Sequence, residues 1–190
     1  ANEPGVISES DSPEEAEDNR EVLPESLSED IPPIPDANPL KLTISFDQAL
    51  AVEAEIGPEG GTIEVTTADG SHFILEIPAG ALLSPELIRM IPLASIDGIP
   101  VEVDQMMGVK LEPEGIVFLS PVLLRIVHAP LDGELVSAGF GTGGDGEDFH
   151  LQTSQTIAGE TDLFLSHFSN HGVIQARREE INRLNTLYSP

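Results

Sequence analysis

"GTIEVTTADGSHFILEIP", residues 61–78, sets the fold class. Ile63 and Val65 alternate with Thr62, Glu64 and Thr66, and Phe73, Leu75 and Ile77 recur at every second position of the next run. Successive side chains of an extended chain point to opposite faces, so a period of two marks a half-buried strand. The "ADGS" between the runs supplies Asp and Gly, residues that accept the tight dihedral angles of a turn. The same reading extends outward. "LKLTISF" (40–46) puts Leu40, Leu42, Ile44 and Phe46 on one face and Lys41, Thr43 and Ser45 on the other. "ALAVEAEI", "GVKLEPEG", "PVLLRIV", "LVSAGFG", "FHLQTS" and "LFLSHF" follow as further short runs punctuated by Gly and Pro. Many short strands at regular spacing predict an all-β chain, a sandwich or barrel.

Two segments read as helical. "SPELIRM" (84–90) offers Ser84 as N-cap and Pro85 at the first helical position, which predicts one helical turn. "VIQARREEINRLNTLY" (173–188) spaces Ile174, Ile181, Leu184 and Leu187 or Tyr188 for one face, with Arg177, Arg178, Glu179 and Glu180 as surface helix formers. A short amphipathic helix over 174–190 is therefore expected after a sandwich over 40–173. Residues 1–39 differ from both. They hold 12 acidic residues and one basic residue, Arg20, with Pro interspersed, and too little apolar surface to offset the entropy of ordering. They read as a disordered, acidic, Pro-rich linker.

Charge excludes several functions. Against 34 acidic residues stand 8 Lys plus Arg, a net charge of −26. Nucleic-acid binding needs a basic stripe to neutralise phosphates, and anionic membranes repel such a chain. No apolar run is long enough for a transmembrane helix, so direct membrane insertion is not expected. Cysteine is absent, which removes disulfides, thiol catalysis and zinc–thiolate sites. The chain begins at Ala1 without a methionine and reads as a processed or trimmed product, and its tether-like start would suit a lipid-anchored or secreted protein. Acidity and the tether-like start point to an extracytoplasmic, cell-envelope or secreted protein.

Gly60-Gly61, "IPAGAL" (77–82), and "LEPEG" (111–115) followed by Pro121-Val122 each have a local role. The glycines admit positive φ beside a strand start. Pro78 and Gly80 end a strand, Ala81 and Leu82 return to the core, and "EPEG" is a turn with Pro113 at its second position. Pro121 suits the first residue of a strand. In this order, together with "HFSNHGV" (167–173), the set resembles the ZU-five domain over residues 56–173. That β-sandwich module occurs in netrin receptors, ankyrins, a death-domain scaffold protein and bacterial surface proteins. The resemblance implies a ZU-five-like β-sandwich and an interaction or structural role.

The resemblance also carries one chemical precedent, a His-Phe-Ser sequence cut between Phe and Ser in some eukaryotic members. His167, Phe168 and Ser169 stand in the corresponding place. Ser169 Oγ would attack the Phe168 carbonyl, the peptide would shift to an ester, and water would hydrolyse it. His167 would serve as general base, since an imidazole in a free peptide titrates near ~6.5, within reach of neutral pH. The uphill shift needs backbone strain, on the order of 1–3 kcal/mol, in the Ser169-Asn170 turn. The competing reading is an ordinary strand end, with Phe168 in the core and Ser169-Asn170 as a hydrogen-bonded turn.

"GTGGDG" (141–146) has the spacing of a dinucleotide fingerprint but precedes a strand, so it reads as a hairpin loop. Asp145, Glu147 and Asp148 in that loop are hard oxygen donors of the kind calcium takes, without EF-hand spacing. His72, His128, His150, His167 and His171 follow no metal-ligand pattern. Three functions follow as expectations. The favoured one is a non-enzymatic interaction or structural module with an unidentified protein partner, no cofactor and an open oligomeric state. The second is a self-processing domain limited to one turnover at Phe168–Ser169. The third is a calcium-binding surface module.

Overall fold

A computed structural model describes residues 40–188. The expected linker over 1–39, and residues 189 and 190, lie outside the described residues. In chain order the strands are β1 (Thr43–Phe46), β2 (Val52–Ile56), β3 (Gly61–Thr66), β4 (His72–Ile77), β5 (Glu86–Asp97) and β6 (Gln105–Glu112). They continue as β7 (Val117–Val127), β8 (Leu135–Thr142), β9 (His150–Gln152), β10 (Ser154–Ile157), β11 (Glu160–His167) and β12 (Asn170–Arg177), and one helix, α1 (Arg178–Tyr188), follows. The strands form two antiparallel sheets. Seven make the order β1-β5-β6-β12-β8-β9 with β2 also paired to β5, and five make the order β10-β11-β7-β4-β3. The alternation in residues 61–78 is realised as the antiparallel pair β3–β4, with Ile63 beside Leu75 and Val65 beside Phe73.

The main core lies between the sheets. Phe73, Leu75, Ile88, Met90, Val109, Leu111, Leu124, Ile126, Leu163 and Phe168 are buried there, alternating along their strands with outward residues. Each such burial contributes roughly 1.5–3 kcal/mol, so a period-two sequence has one favourable register. A second cluster lies on the other face of the seven-stranded sheet. There Leu184 of α1 packs with Leu42, Phe140, Phe149, Leu151, Ile174 and Ala176. The Tyr188 ring meets Phe149 edge-on at 5.6 Å between centroids. The helix thus covers β12, whose residues Asn170 to Ala176 are all buried.

Several local expectations are corrected. Residues 86–90 are the start of the long strand β5, not a helical turn, because Ile88 and Met90 are buried while Leu87 is exposed, and β2 pairs along them. Ile174 to Arg177 are strand, so the helix begins at Arg178 and not at 174. Ser169-Asn170 is not a hydrogen-bonded turn either, since Asn170 opens β12. The turn after β6 closes with the Ile116 amide donating to the Pro113 carbonyl at 3.4 Å, which makes Pro113 its first residue. Pro121 lies inside β7, where pairing with β11 jumps from Leu165–Val122 to His167–Val117. A residue with no N–H is tolerated at such an irregularity. Gly60 alone of the pair takes positive φ, 79°.

Candidate functional site

Residues 163–173 are the place where the chain leaves the five-stranded sheet and enters the seven-stranded one. β11 ends at His167 and β12 begins at Asn170, so Phe168 and Ser169 form the crossing. The irregularity opposite Pro121 leaves Ser166 and His167 both exposed and turns Phe168 into the core. Without it, strict alternation would put Phe168 on the face of the exposed Phe164. Phe168 packs edge-on against Phe118, with centroids 4.8 Å apart. Both carbonyls of the crossing are held by backbone donors. The Gly115 amide donates to the Phe168 carbonyl at 3.1 Å, and the Leu111 amide donates to the Ser169 carbonyl at 2.9 Å. Asn170 fixes the far side, its Nδ2 donating to Thr142 Oγ1 at 3.0 Å and to the Gly143 carbonyl at 2.7 Å.

The Ser169 hydroxyl is buried and lies 3.1 Å from Nε2 of His171. Sequence reasoning placed the imidazole partner at His167, but that ring faces outward, with its centroid 5.8 Å from that of His171. The signal was available in the spacing. Ser169 and His171 are two residues apart, so an extended chain puts them on one face. On the other side of the ring, Nδ1 of His171 is 3.4 Å from Nε2 of Gln152. Gln152 Nε2 also donates to the Phe140 carbonyl at 3.1 Å, which orients the amide: a flipped Gln152 would set its oxygen against that carbonyl. Both bonds of Gln152 are therefore donations, and Nδ1 of His171 is the acceptor. Its proton sits on Nε2 and faces Ser169. In this tautomer His171 donates to the hydroxyl and presents it with no lone pair.

A cleft of about 330 Å³ opens onto this crossing, lined in part by Gly115, His150, His167, Phe168 and Ser169. The arrangement therefore has a nucleophile beside the Phe168–Ser169 bond, a donor on the Phe168 carbonyl and a route for water. It lacks an accepting base at Ser169. Among the described residues the left-handed region is occupied, apart from glycines, only by Asp148 (φ 56°) and Ala158 (φ 50°), so the crossing itself carries no such strain.

Burial pushes the His171 imidazole down to about 4; the charge of His167 acts in the same direction, the His167 backbone opposes it, and His150 adds a further lowering. An unfolded histidine titrates near ~6.5. Above that value the folded and unfolded chains are both neutral at this site, and its full contribution is present. As the pH falls below it, only the unfolded chain gains the proton, and stability drops until the folded ring titrates near 4. The loss from this ring is about 3 kcal/mol. His171→Gln is expected to flatten the corresponding part of the curve of urea midpoint against pH, and an unchanged slope would place the titration elsewhere.

In the acidic loop, a lysine stands beside the carboxylates named as candidate calcium ligands. Lys41 Nζ sits 2.7 Å from Glu147 Oε1 and 3.7 Å from Asp145 Oδ2, and the hydrogen bond it donates to Glu147 raises the lysine's pKa. Asp145 Oδ1 accepts the Glu147 amide at 3.2 Å, and the Asp148 carbonyl accepts from His150 Nδ1 at 2.8 Å. Lys41 thus pairs with two of the three carboxylates of the loop, Asp145 and Glu147. No group of three His, Cys, Asp or Glu residues that could hold a metal occurs among the described residues. "GTGGDG" runs from the end of β8 into the loop before β9, and Gly146 (φ 83°) accepts the Leu42 amide at 2.8 Å. No protein-family model matches the chain, and no curated protein matches it.

Proposed function

We propose that the chain is a non-enzymatic β-sandwich module of the ZU-five type that serves an interaction or structural role, with its Phe168–Ser169 bond intact. The observation that carries this reading is the direction of the Gln152–His171–Ser169 chain. Gln152 donates to Nδ1 of His171, so His171 donates to Ser169 and does not accept its proton. The crossing is then a stitch between the sheets, with both carbonyls and the hydroxyl satisfied, as buried polar groups require. The acidic surface and the likeness of "IPAGAL", "LEPEG" and "HFSNHGV" to the family's pattern support the interaction role and an extracytoplasmic setting.

The test is the tautomer itself. Ring nitrogen chemical shifts of His171 at neutral pH are expected to show the proton on Nε2; a proton on Nδ1 would contradict the reading. Self-processing is the second reading, favoured by the 3.1 Å contact between Ser169 and His171 and by the Gly115 amide on the Phe168 carbonyl. It requires the opposite tautomer. Gln152→Glu would supply an acceptor to Nδ1–H and turn the Nε2 lone pair toward Ser169. Fragments from that variant would identify the tautomer as the block, and an intact chain would identify the relaxed backbone.

A further inference from the structure

The outer face of the five-stranded sheet departs from the usual alternation of core and polar positions. Val117 and Leu119 of β7 are 75% and 65% exposed, and Phe164 of β11 is 65% exposed. Phe164 stands directly across from Leu123, and Val117 across from His167, so these side chains form one stripe along the β7–β11 pair. Isolated exposed apolar residues need no explanation, but a contiguous stripe on a sheet face does.

We propose that this stripe is the docking surface for a cationic, extended polypeptide segment in which Lys or Arg alternates with apolar residues. The inference rests on the reading of the chain as an interaction module and names the chemistry of the partner. Three observations carry it. The first is an open strand edge: β10 pairs only with Glu160 to Leu163 of β11, so among the described residues no strand lies on the outer side of Phe164 to His167. An added strand can pair along that open edge, while its alternate side chains meet the stripe.

The second observation is charge. The same face presents Glu64, Glu76, Glu160 and Asp162 against one guanidinium, Arg125. That guanidinium is already engaged, with Nε and Nη2 donating to Asp162 at 2.8 and 3.1 Å and with Glu160 and Glu76 at 3.8 and 3.9 Å. The face is net negative after this pairing, within a chain of net charge −26, so the field attracts a cationic segment and repels an acidic one. The third is a cleft of about 380 Å³ beside the stripe, lined in part by Glu76, Pro121 and Leu123. It fits a Lys or Arg side chain whose aliphatic stem lies on Pro121 and Leu123 while its charge meets Glu76.

The probe is a labelled peptide of about ten residues alternating Lys and Val, long enough to add one strand, read by fluorescence anisotropy on the full chain. Binding is expected, and none with the Glu–Val analogue. Leu119→Ser with Phe164→Ser is expected to weaken it about tenfold or more, and Glu76→Gln by a smaller factor, each with an unchanged melting temperature. No binding of the Lys–Val peptide, or binding indifferent to both variants and matched by a Lys–Ser peptide, would overturn the proposal. An intact chain with the expected His171 tautomer would then leave the non-enzymatic reading standing without this partner.

Discussion

Phe168→Ala is expected to lower the unfolding free energy by about 3–5 kcal/mol, among the largest effects of any single truncation in this chain. Phe168 is 1% exposed, packs edge-on against Phe118, and fills the point where the two sheets are joined by the crossing chain. Its removal leaves a cavity that the neighbours cannot close, because its own carbonyl and that of Ser169 are tied to Gly115 and Leu111. Phe164→Ala provides the contrast. That ring lies four residues earlier and is 65% exposed, so its loss is expected to change stability by about 0.5 kcal/mol or less. Urea denaturation of both variants makes the comparison. Equal effects would mean that the irregularity in β11 does not redirect Phe168 into the core.

Gly172→Ala is expected to cost about 3 kcal/mol, the upper end of overpacking penalties. Gly172 lies in β12 with Gly108 of β6 on one side and Phe140 of β8 on the other. A Cβ there would run into the Met107 carbonyl oxygen and lie 2.7 Å from Phe140 Cε1 and 2.8 Å from Gly108 Cα. Two of these are backbone atoms of a central strand, which cannot rotate away as a side chain can. The melting temperature should fall by about 6–12 °C for a domain of this size. A fall of under about 2 °C would show that β6 and β12 separate easily, contrary to their place at the centre of the sheet.

The strands that a reader could identify are those with one face in water. β3 and β4 alternate because Glu64 and Glu76 face outward while Val65 and Leu75 face the core, and that pattern survives in sequence. β12 has no wet face. With the core between the sheets on one side and α1 on the other, its run of buried residues loses the alternation, and the helix-forming Gln175, Ala176 and Arg177 then read as part of the helix that follows. The "SPEL" stretch misleads for a different reason. Its local preference is a helix start, but pairing with β2 and β6 and burial of Ile88 and Met90 outweigh a capping preference of roughly 1 kcal/mol.

The candidate site divides along the same line. Ser169 and Phe168 were legible because they are adjacent in sequence, and His171 would have been found by spacing had β12 been recognised as extended. Gln152 and Gly115 were not legible, since they reach the crossing from the β8–β9 hairpin and the β6–β7 turn. Yet in the proposed reading Gln152 sets the role of His171, because a neutral imidazole is a base or a donor according to which nitrogen its other neighbour holds.

The most direct measurement is the intact mass of the purified full chain after prolonged incubation at neutral pH. The account predicts one species at 20.3 kDa, with Ser169→Ala showing the same single chain. Two fragments that meet at Phe168–Ser169, lost in Ser169→Ala, would contradict it.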